Sequence, residues 1–296
     1  MKVNKHRFFN SFLWLIVAFS ASLSAAAQKP KPAVKVIPAT VENHKLNSKL
    51  MAREIPYSVI LPDDYKNKKT RYAVVFLLHG LMGHFDNWAT KTELASYARD
   101  HDYIFVMPEG GDGWYTDSVS ENNDRYESYM IEELIPEIDK KFRTLADKDH
   151  RAIAGFSMGG YGAIKFGIKH SKVFAVVASF SGVLGAARAT EKEIRNGDVL
   201  RSIQKVFGAD DSAARSANDL FQLTRDLESK SVKELPFIYF DCGTEDGYFQ
   251  YNLDYAKLLR EKKITHEFRE LPGGHSWKYW DAQVQEFLRL SDKYFK

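Results

Sequence analysis

The segment Gly155–Gly159 (GFSMG) limits what this chain can fold into more than any other segment. Residues 150–154 (HRAIA) before it are typical of a short buried strand, and residues 158–169 after it are typical of a helix. A Gly-x-Ser-x-Gly turn between a strand and a helix is sharp, so its flanking residues must be small and its serine hydroxyl is exposed. We therefore predict that Ser157 is a catalytic nucleophile. The alternative is an ordinary glycine-rich turn.

Strands and helices alternate along most of the remaining chain. Residues 72–78 (YAVVFLL) form a near-continuous apolar run, which is typical of a strand buried on both faces of a sheet. We also predict strands at 55–61, 103–107, 151–154, 174–179, 237–240 and 266–271, and helices at 93–99, 129–142, 252–262 and 275–294. This alternation predicts an α/β fold with a mainly parallel central sheet and helices on both faces. The length of 296 residues fits one large domain, which we place at 48–296.

One segment interrupts this alternation. Residues 182–233 are charged and helix-prone, and no strand pattern occurs among them. They lie between two predicted strands of the sheet, where extra residues are able to cover a site at the sheet edge. Two interpretations are open: a small helical insertion that caps the site, or a plain pair of connecting helices.

The N-terminus has the features of a secretory signal peptide. A basic head at 1–7 precedes a short apolar centre at 12–19 (FLWLIVAF), and small residues suit cleavage after Ala27. We predict a signal peptide at 1–27 and a protein that is secreted or periplasmic after cleavage, without stable membrane insertion. A retained membrane anchor is the alternative. Residues 28–47 are rich in Lys and Pro and are expected to form an extended leader.

Charge and cysteine content exclude other classes of function. Three of the 42 Lys and Arg residues lie in 1–27, so the remaining 39 balance the 39 Asp and Glu residues. Nucleic-acid-binding domains usually carry clustered positive charge on one face, and no such cluster is evident in the sequence. Cys242 is the sole cysteine and lies in an apolar run, which favours a core residue. We expect no nucleic-acid partner, and the oligomeric state stays open.

A serine nucleophile needs a base within hydrogen-bonding distance and an acid that orients the base. After a turn of this kind the partners follow in the order serine, acid, histidine. His275 comes after the last predicted strand and follows Gly273–Gly274, which allow the loop to bend back over the strand ends. We predict that His275 is the general base. A surface histidine at the start of a helix is the alternative.

The acid is expected in the loop that follows the strand at 237–242. That loop, 243–247 (GTEDG), contains two carboxylates. We predict Asp246 as the acid, with Glu245 as its nearest competitor, whereas Asp241 is too far inside the strand. A solvated loop charge or a cap for the following helix is the alternative.

Two backbone N–H groups must face the negative charge that develops on the substrate. Met158, the residue after the nucleophile, is expected to supply one of them. Leu81 is expected to supply the other, because it lies in the loop 79–83 (HGLMG) that follows the buried strand at 72–78. His79 is expected to be structural rather than catalytic.

No metal site is indicated by the sequence. His79, His84 and Asp86 are close together, but they do not have the spacing of a zinc site. We therefore expect no metal ion and no cofactor.

Five segments together resemble the esterase D-like branch of the α/β-hydrolase superfamily: LLHGLMG, MPEGGDGWYTDS, GFSMGGYGA, CGTEDGYF and GGHSWKYW. They occur in the expected order over about residues 50–290. This branch includes tributyrin-type carboxylesterases, feruloyl and acetyl-xylan esterases, S-formylglutathione hydrolases and antigen 85-type mycolyltransferases. The resemblance implies that Ser157, Asp246 and His275 form a catalytic triad. It also implies that the backbone N–H groups of Leu81 and Met158 are the two oxyanion donors.

The resemblance also implies that Trp114 and Tyr115 line the acyl or alcohol pocket. Trp277 is expected near the same pocket, although Trp277 and Trp280 also have the spacing of core residues on the last helix. Aromatic rings around a small site suit a flat or sugar-like group. We expect a serine carboxylesterase for short acyl or aryl esters, with a small-molecule or carbohydrate ester as substrate. An acyltransferase of the mycolyltransferase type, with a sugar hydroxyl as acceptor, is the alternative because the same triad serves both.

Overall fold

The computed structural model describes residues 39–295. Within these residues, eight strands form one sheet. The strands are β1 (Val41–Ser48), β2 (Arg53–Ile60), β3 (Ala73–Leu78), β4 (Tyr103–Pro108), β5 (Arg151–Phe156), β6 (Val176–Phe180), β7 (Phe237–Gly243) and β8 (His266–Leu271). The predicted signal peptide and most of the predicted leader lie outside the described residues.

The helices of this part of the chain lie mostly between the strands. They are α1 (Asn87–Lys91), α2 (Leu94–Tyr97), α3 (Tyr126–Ser128), α4 (Ile135–Lys141), α5 (Met158–Lys169), α6 (Gly197–Phe207), α7 (Ala213–Asn218), α8 (Leu220–Arg225), α9 (Ser229–Val232), α10 (Phe249–Glu261) and α11 (Trp277–Ser291). A π-helical segment at Tyr129–Leu134 joins α3 to α4, and 3-10 turns occupy Ala98–Asp100 and Lys148–His150. Among the described residues, no helix combines the length and the apolar composition that a membrane span requires.

The strand order in the sheet is β1-β2-β4-β3-β5-β6-β7-β8. β2 is antiparallel to both of its neighbours, and all the other neighbouring strands are parallel. The fold class predicted from the sequence is therefore confirmed. Because the parallel strands end at one edge of the sheet, the loops after β3, β5, β7 and β8 meet there, and ligands of open α/β sheets bind at that edge.

Each face of the sheet is covered by its own apolar layer. One layer contains α5 and α10, and the other contains α11 with α1 and α2. Successive residues of β3 alternate between the two layers, as the pleat of a strand requires. Helix α5 is buried from Met158 to Ile168, which suits a helix whose residues are apolar or small on nearly all sides.

The first strand occupies the end of the segment 28–47, which the sequence predicted to be an extended leader into the fold. Val41–Ser48 is extended, as expected, but it pairs with all eight residues of β2 at the edge of the sheet. Its side chains are mostly half-exposed or exposed, so no apolar alternation marks it. The turn after it is held by Glu133, whose carboxylate accepts hydrogen bonds from the N–H groups of Lys49 and Leu50. The predicted leader therefore ends in a strand of the sheet, which backbone pairing rather than burial stabilises.

Candidate active site

The turn at 155–159 joins β5 to α5 and holds Ser157 in a strained backbone conformation. Its φ is 55° and its ψ is −119°, a combination that residues other than glycine rarely adopt. The Ser157 N–H donates to the carbonyl of Phe180 at 3.1 Å, and the Ser157 carbonyl accepts from Val183 N–H at 3.1 Å. Hydrogen bonds with the end of β6 and with the loop after it therefore fix both the N–H and the carbonyl group of Ser157.

The two outer glycines of the turn permit close backbone contacts. A Cβ added at Gly155 would lie 2.5 Å from the carbonyl carbon of Gly159. A Cβ at Gly159 would lie 2.5 Å from the carbonyl oxygen of Leu78, the last residue of β3. Real Cβ contacts are not this short, so any larger residue would displace the backbone. The turn is therefore held directly against the end of β3.

Ser157, His275 and Asp246 form one chain of hydrogen bonds. Ser157 Oγ is 2.9 Å from His275 Nε2, and His275 Nδ1 is 2.9 Å from Asp246 Oδ2. The carboxylate accepts at Nδ1, so Nδ1 carries the proton and Nε2 is free to accept from the serine hydroxyl. This is the geometry that a serine nucleophile, its base and the orienting acid require.

Asp246 is buried and remains charged. Burial raises the pKa of its carboxyl, but hydrogen bonds from His275 and from the backbone N–H of Tyr248 outweigh it and hold that pKa below the ordinary value. Glu245 is exposed, and Asp241 is fully buried inside β7. Among the described residues, Asp246 is thus the carboxylate that contacts His275.

The two expected oxyanion donors belong to segments that adjoin the serine. Met158 is the first residue of α5, so no carbonyl of the helix accepts its N–H. Leu81 follows Gly80, where an added Cβ would be only 3.2 Å from the Cβ of Ser157. Among the described residues, no backbone carbonyl accepts the Leu81 N–H. Both N–H groups are available to a carbonyl oxygen held at Ser157.

His79 braces the loop that carries Leu81. Its ring is buried, its Nδ1 is 2.7 Å from the carbonyl of Gly80, and its Nε2 accepts from the N–H of Gly110 at 2.8 Å. The ring therefore joins the loop after β3 to the loop after β4. This arrangement agrees with the structural role expected for His79.

A cavity of about 300 Å³ opens over Ser157 and His275; we call it the catalytic pocket. The oxyanion loop 80–83 forms one part of its wall, and aromatic rings form another. The rings are those of Trp114, Phe156, Tyr248, Trp277 and Trp280. Trp277 packs edge-on against Phe156, so it is both a packing residue and a wall of the pocket. Among residues 39–295, no group of three His, Cys, Asp or Glu side chains is placed to hold a metal ion.

The model of the Esterase family matches residues 48–290 of the sequence. The chain belongs to this esterase family. The acetyl esterase of Caldicellulosiruptor saccharolyticus is 26% identical to it over 256 residues, which are 83% of this chain and 96% of that protein. Membership supports ester hydrolysis as the reaction class.

Two further similar proteins are matched over different shares of their length. An esterase of Mycobacterium tuberculosis is 31% identical over 239 residues, which are 75% of this chain and 52% of that protein. The chain therefore spans about half the length of that relative. A solved ferulic acid esterase has a TM-score of 0.75 and 26% identity, and the match covers 88% of this chain and 99% of that chain.

The structure separates the two aromatic residues that were predicted to line the pocket. Trp114 lies in the wall of the catalytic pocket, and its indole N–H donates to Ser202 Oγ at 3.0 Å. Tyr115 does not line that pocket: it is fully buried, and its hydroxyl donates to the carbonyl of His79 at 3.1 Å. The Tyr115 ring instead fills the space beside the glycines at 110 and 162, where no larger residue would fit.

The insertion at 182–233 contributes wall residues that no motif indicated. It contains α6 to α9 and no strand, and its residues Val183, Asn196 and Val199 line the catalytic pocket. Ser202 of α6 supports Trp114 from the same side. Their residue types are common on any helix, so only the position of the segment between β6 and β7 pointed to the site.

A buried lysine behind the serine turn was also missed. Lys165 lies in the middle of α5 with no exposed surface, and its Nζ donates to the carbonyl of Tyr115 at 2.7 Å, to Thr116 and to Glu127 at 2.9 Å. Trp114 and Tyr115 both have positive φ, 50° and 49°. Lys165 therefore holds a strained loop that ends in the pocket wall. A lysine within an apolar helix is the signal that would have revealed it.

Proposed function

We propose that this protein is an exported serine carboxylesterase that cleaves short acyl or aryl esters through an acyl-enzyme on Ser157. The observation that carries the proposal is the hydrogen-bonded chain from Ser157 through His275 to Asp246, at 2.9 Å for each step. Export is proposed from the signal-peptide pattern at 1–27.

The geometry supports a two-step reaction. Ser157 Oγ attacks the ester carbonyl carbon while His275 Nε2 takes the serine proton. The N–H groups of Leu81 and Met158 hold the oxygen that becomes negative. His275 then gives its proton to the leaving alcohol as the bond from the acyl carbon to the alcohol oxygen breaks. In the second step His275 takes a proton from a water molecule that attacks the acyl carbon. The bond to Ser157 Oγ then breaks, and His275 returns the proton to Ser157 as the acid leaves. Asp246 keeps His275 in the required tautomer and stabilises its positive charge.

The size and lining of the catalytic pocket favour small esters. Its volume is about 300 Å³, and the rings of Trp114 and Trp277 suit a flat group. Two similar proteins are named acetyl esterase and ferulic acid esterase, and these names agree with a preference for short acyl and aryl groups.

Replacement of the nucleophile tests the reaction. Ser157→Ala should lower kcat on p-nitrophenyl acetate by about 10³-fold or more, because only binding and oxyanion stabilisation remain. A fluorophosphonate should add mass to the wild-type protein at Ser157 alone, as read by peptide mass spectrometry. Full activity of the alanine variant would refute the proposal.

A substrate panel tests the choice of ester. We expect p-nitrophenyl acetate and methyl ferulate to have higher kcat/KM than p-nitrophenyl octanoate. The opposite order would show a pocket built for long chains. Analysis of products with and without a sugar acceptor separates hydrolysis from acyl transfer.

A further inference from the structure

A second cavity adjoins the catalytic pocket. It has a volume of about 380 Å³, and we call it the side chamber. The side chamber and the catalytic pocket share four wall residues, which are Val183, Asn196, Val199 and Tyr248. The two spaces therefore adjoin along these residues, and a ligand that reacts at Ser157 is close enough to extend into the second.

The side chamber lies on the histidine side of the reacting atoms. The ring of Tyr248 packs edge-on against the ring of His275, with centroids 5.1 Å apart, and the same ring lines the chamber. None of the oxyanion-loop residues 80–83 contributes to the chamber. In ester cleavage the histidine protonates the departing alcohol. The alcohol half of the ester therefore leaves beside His275, on the side where the chamber lies.

The chamber wall combines aromatic rings with small residues. Tyr248 and Tyr251 stand three residues apart at the start of α10, so they lie on one side of the helix. The wall also contains Gly185, Ala186 and Ala189. A Cβ at Gly185 would be 2.5 Å from the ring of Tyr251, which shows how closely the backbone approaches this ring. The wall offers flat apolar surfaces of the kind that pack against the face of a ring.

The rim of the chamber offers both hydrogen-bond donors and hydrogen-bond acceptors. Asn196 uses its Oδ1 to cap α6, and its Nδ2 has no hydrogen-bond partner among the described residues. Glu193 uses Oε2 to accept from Thr190, which leaves Oε1 to accept another donor. Tyr251 Oη has no hydrogen-bond partner in the described part of the chain either. An alkyl chain would leave these groups without partners, whereas each hydroxyl of a sugar both donates and accepts.

We propose that the side chamber is the alcohol subsite and binds the sugar ring of a carbohydrate ester. One ring face packs on Tyr248 and Tyr251, and the hydroxyls meet Asn196 and Glu193 at the rim. The esterified hydroxyl points toward Ser157, and its oxygen receives the proton of His275 when the C–O bond to the acyl carbon breaks. This assignment rests on the proposed esterase activity, and it predicts selectivity for the alcohol rather than for the acid.

Filling the chamber tests the assignment. In Ala189→Trp the indole would occupy the space of the sugar. We expect the ratio of kcat/KM for a methyl xyloside monoacetate to that for ethyl acetate to fall by about tenfold or more. The ratio for ethyl butyrate over ethyl acetate should not change, because these two esters differ only in the acyl group. Ala209→Trp, an exposed position in the same insertion that lines neither cavity, is the matched control and should change neither ratio.

A smaller change covers the case in which the tryptophan variant does not fold. Tyr251→Phe removes one hydroxyl and should lower kcat/KM for the sugar ester about fivefold, the effect of one hydrogen bond. A changed acyl ratio in either variant would mean that the chamber binds the acid half. Unchanged ratios in folded variants, or a wild type that cleaves ethyl acetate but not the sugar acetate, would overturn the assignment. A wild type without any Ser157-dependent ester cleavage would instead refute the proposed function.

Discussion

The strand-end loops and the helical insertion build the same site in different ways. The loops at 79–83, 155–159 and 243–247 are held by backbone contacts, such as that of Gly159 with the carbonyl of Leu78. The insertion at 182–233 reaches the site through side chains on its loops and on α6, of which Val199 is half-exposed and Asn196 is exposed. The first region sets the distances among the reacting atoms, and the second shapes the space around the substrate. A change of side chain is therefore expected to affect the reaction in the first region and selectivity in the second.

The largest effect is expected at the acid of the strand-end loops. Asp246→Asn should lower kcat by about 10²- to 10⁴-fold with little change in fold, because an amide holds His275 in the wrong tautomer. Steady-state kinetics on p-nitrophenyl acetate and the circular dichroism of the purified variant measure both properties.

The neighbouring carboxylate provides the control for this variant. Glu245 is exposed and does not contact His275, so Glu245→Gln should keep kcat within about twofold. If Glu245→Gln lost more activity than Asp246→Asn, the acid would have to be reassigned.

A smaller effect is expected at Lys165, which links the two regions through the loop at 114–116. Burial lowers the pKa of its ammonium to about 8, although Glu127 beside it offsets part of this effect. Lys165→Met leaves the carbonyl of Tyr115 without its donor, and so frees the strained backbone next to Trp114. We expect kcat/KM for short esters to fall about tenfold, mainly through KM, because the pocket wall moves while the triad stays in place.

Lys169→Met is the matched control, since Lys169 contacts Glu127 but not the loop at 114–116. Its kcat/KM should stay within about twofold of the wild-type value. Equal losses in both variants would mean that the positive charge beside Glu127, rather than the hydrogen bond of Lys165 to the loop, supports activity.

The smallest effect concerns stability rather than rate. Burial raises the pKa of Asp241 in β7 to about 7, and Tyr279, Tyr239 and Arg269 only partly oppose it. The folded protein therefore keeps a proton that the unfolded chain loses near pH 4, so stability falls as pH rises from about 4 to about 7. Asp241→Asn removes this loss, and its Tm at pH 8 should exceed the wild-type Tm by several degrees.

Melting curves from pH 3 to pH 9 show whether the sign is right. The difference in Tm between the variant and the wild type should be least at pH 3 and level off above pH 7. A difference that is largest at pH 3 would show that Asp241 stabilises the fold as an anion.

The strand-end loops were largely predictable from the sequence, whereas the insertion was not. An apolar run and a Gly-x-Ser-x-Gly turn are local patterns. With the expected order of the partners along the chain, they placed Ser157, Asp246 and His275 after β5, β7 and β8, where the structure brings them within hydrogen-bonding distance. Contacts such as that of Ser202 with Trp114 depend on how a surface helix docks, which no periodicity records. The edge strand β1 was missed for a related reason, since backbone pairing leaves no apolar pattern.

Helix α5 has almost no face toward solvent, and this affects how the protein folds. A helix that is buried on nearly every side cannot be stable until the sheet and the helices around it have closed. Its amide protons should therefore exchange only by near-global opening. Because Ser157 is the N-cap residue of α5, a chain in which this helix has not formed has no competent nucleophile. Recovery of the proposed esterase activity after refolding should therefore mark completion of the whole domain, later than the return of helical signal.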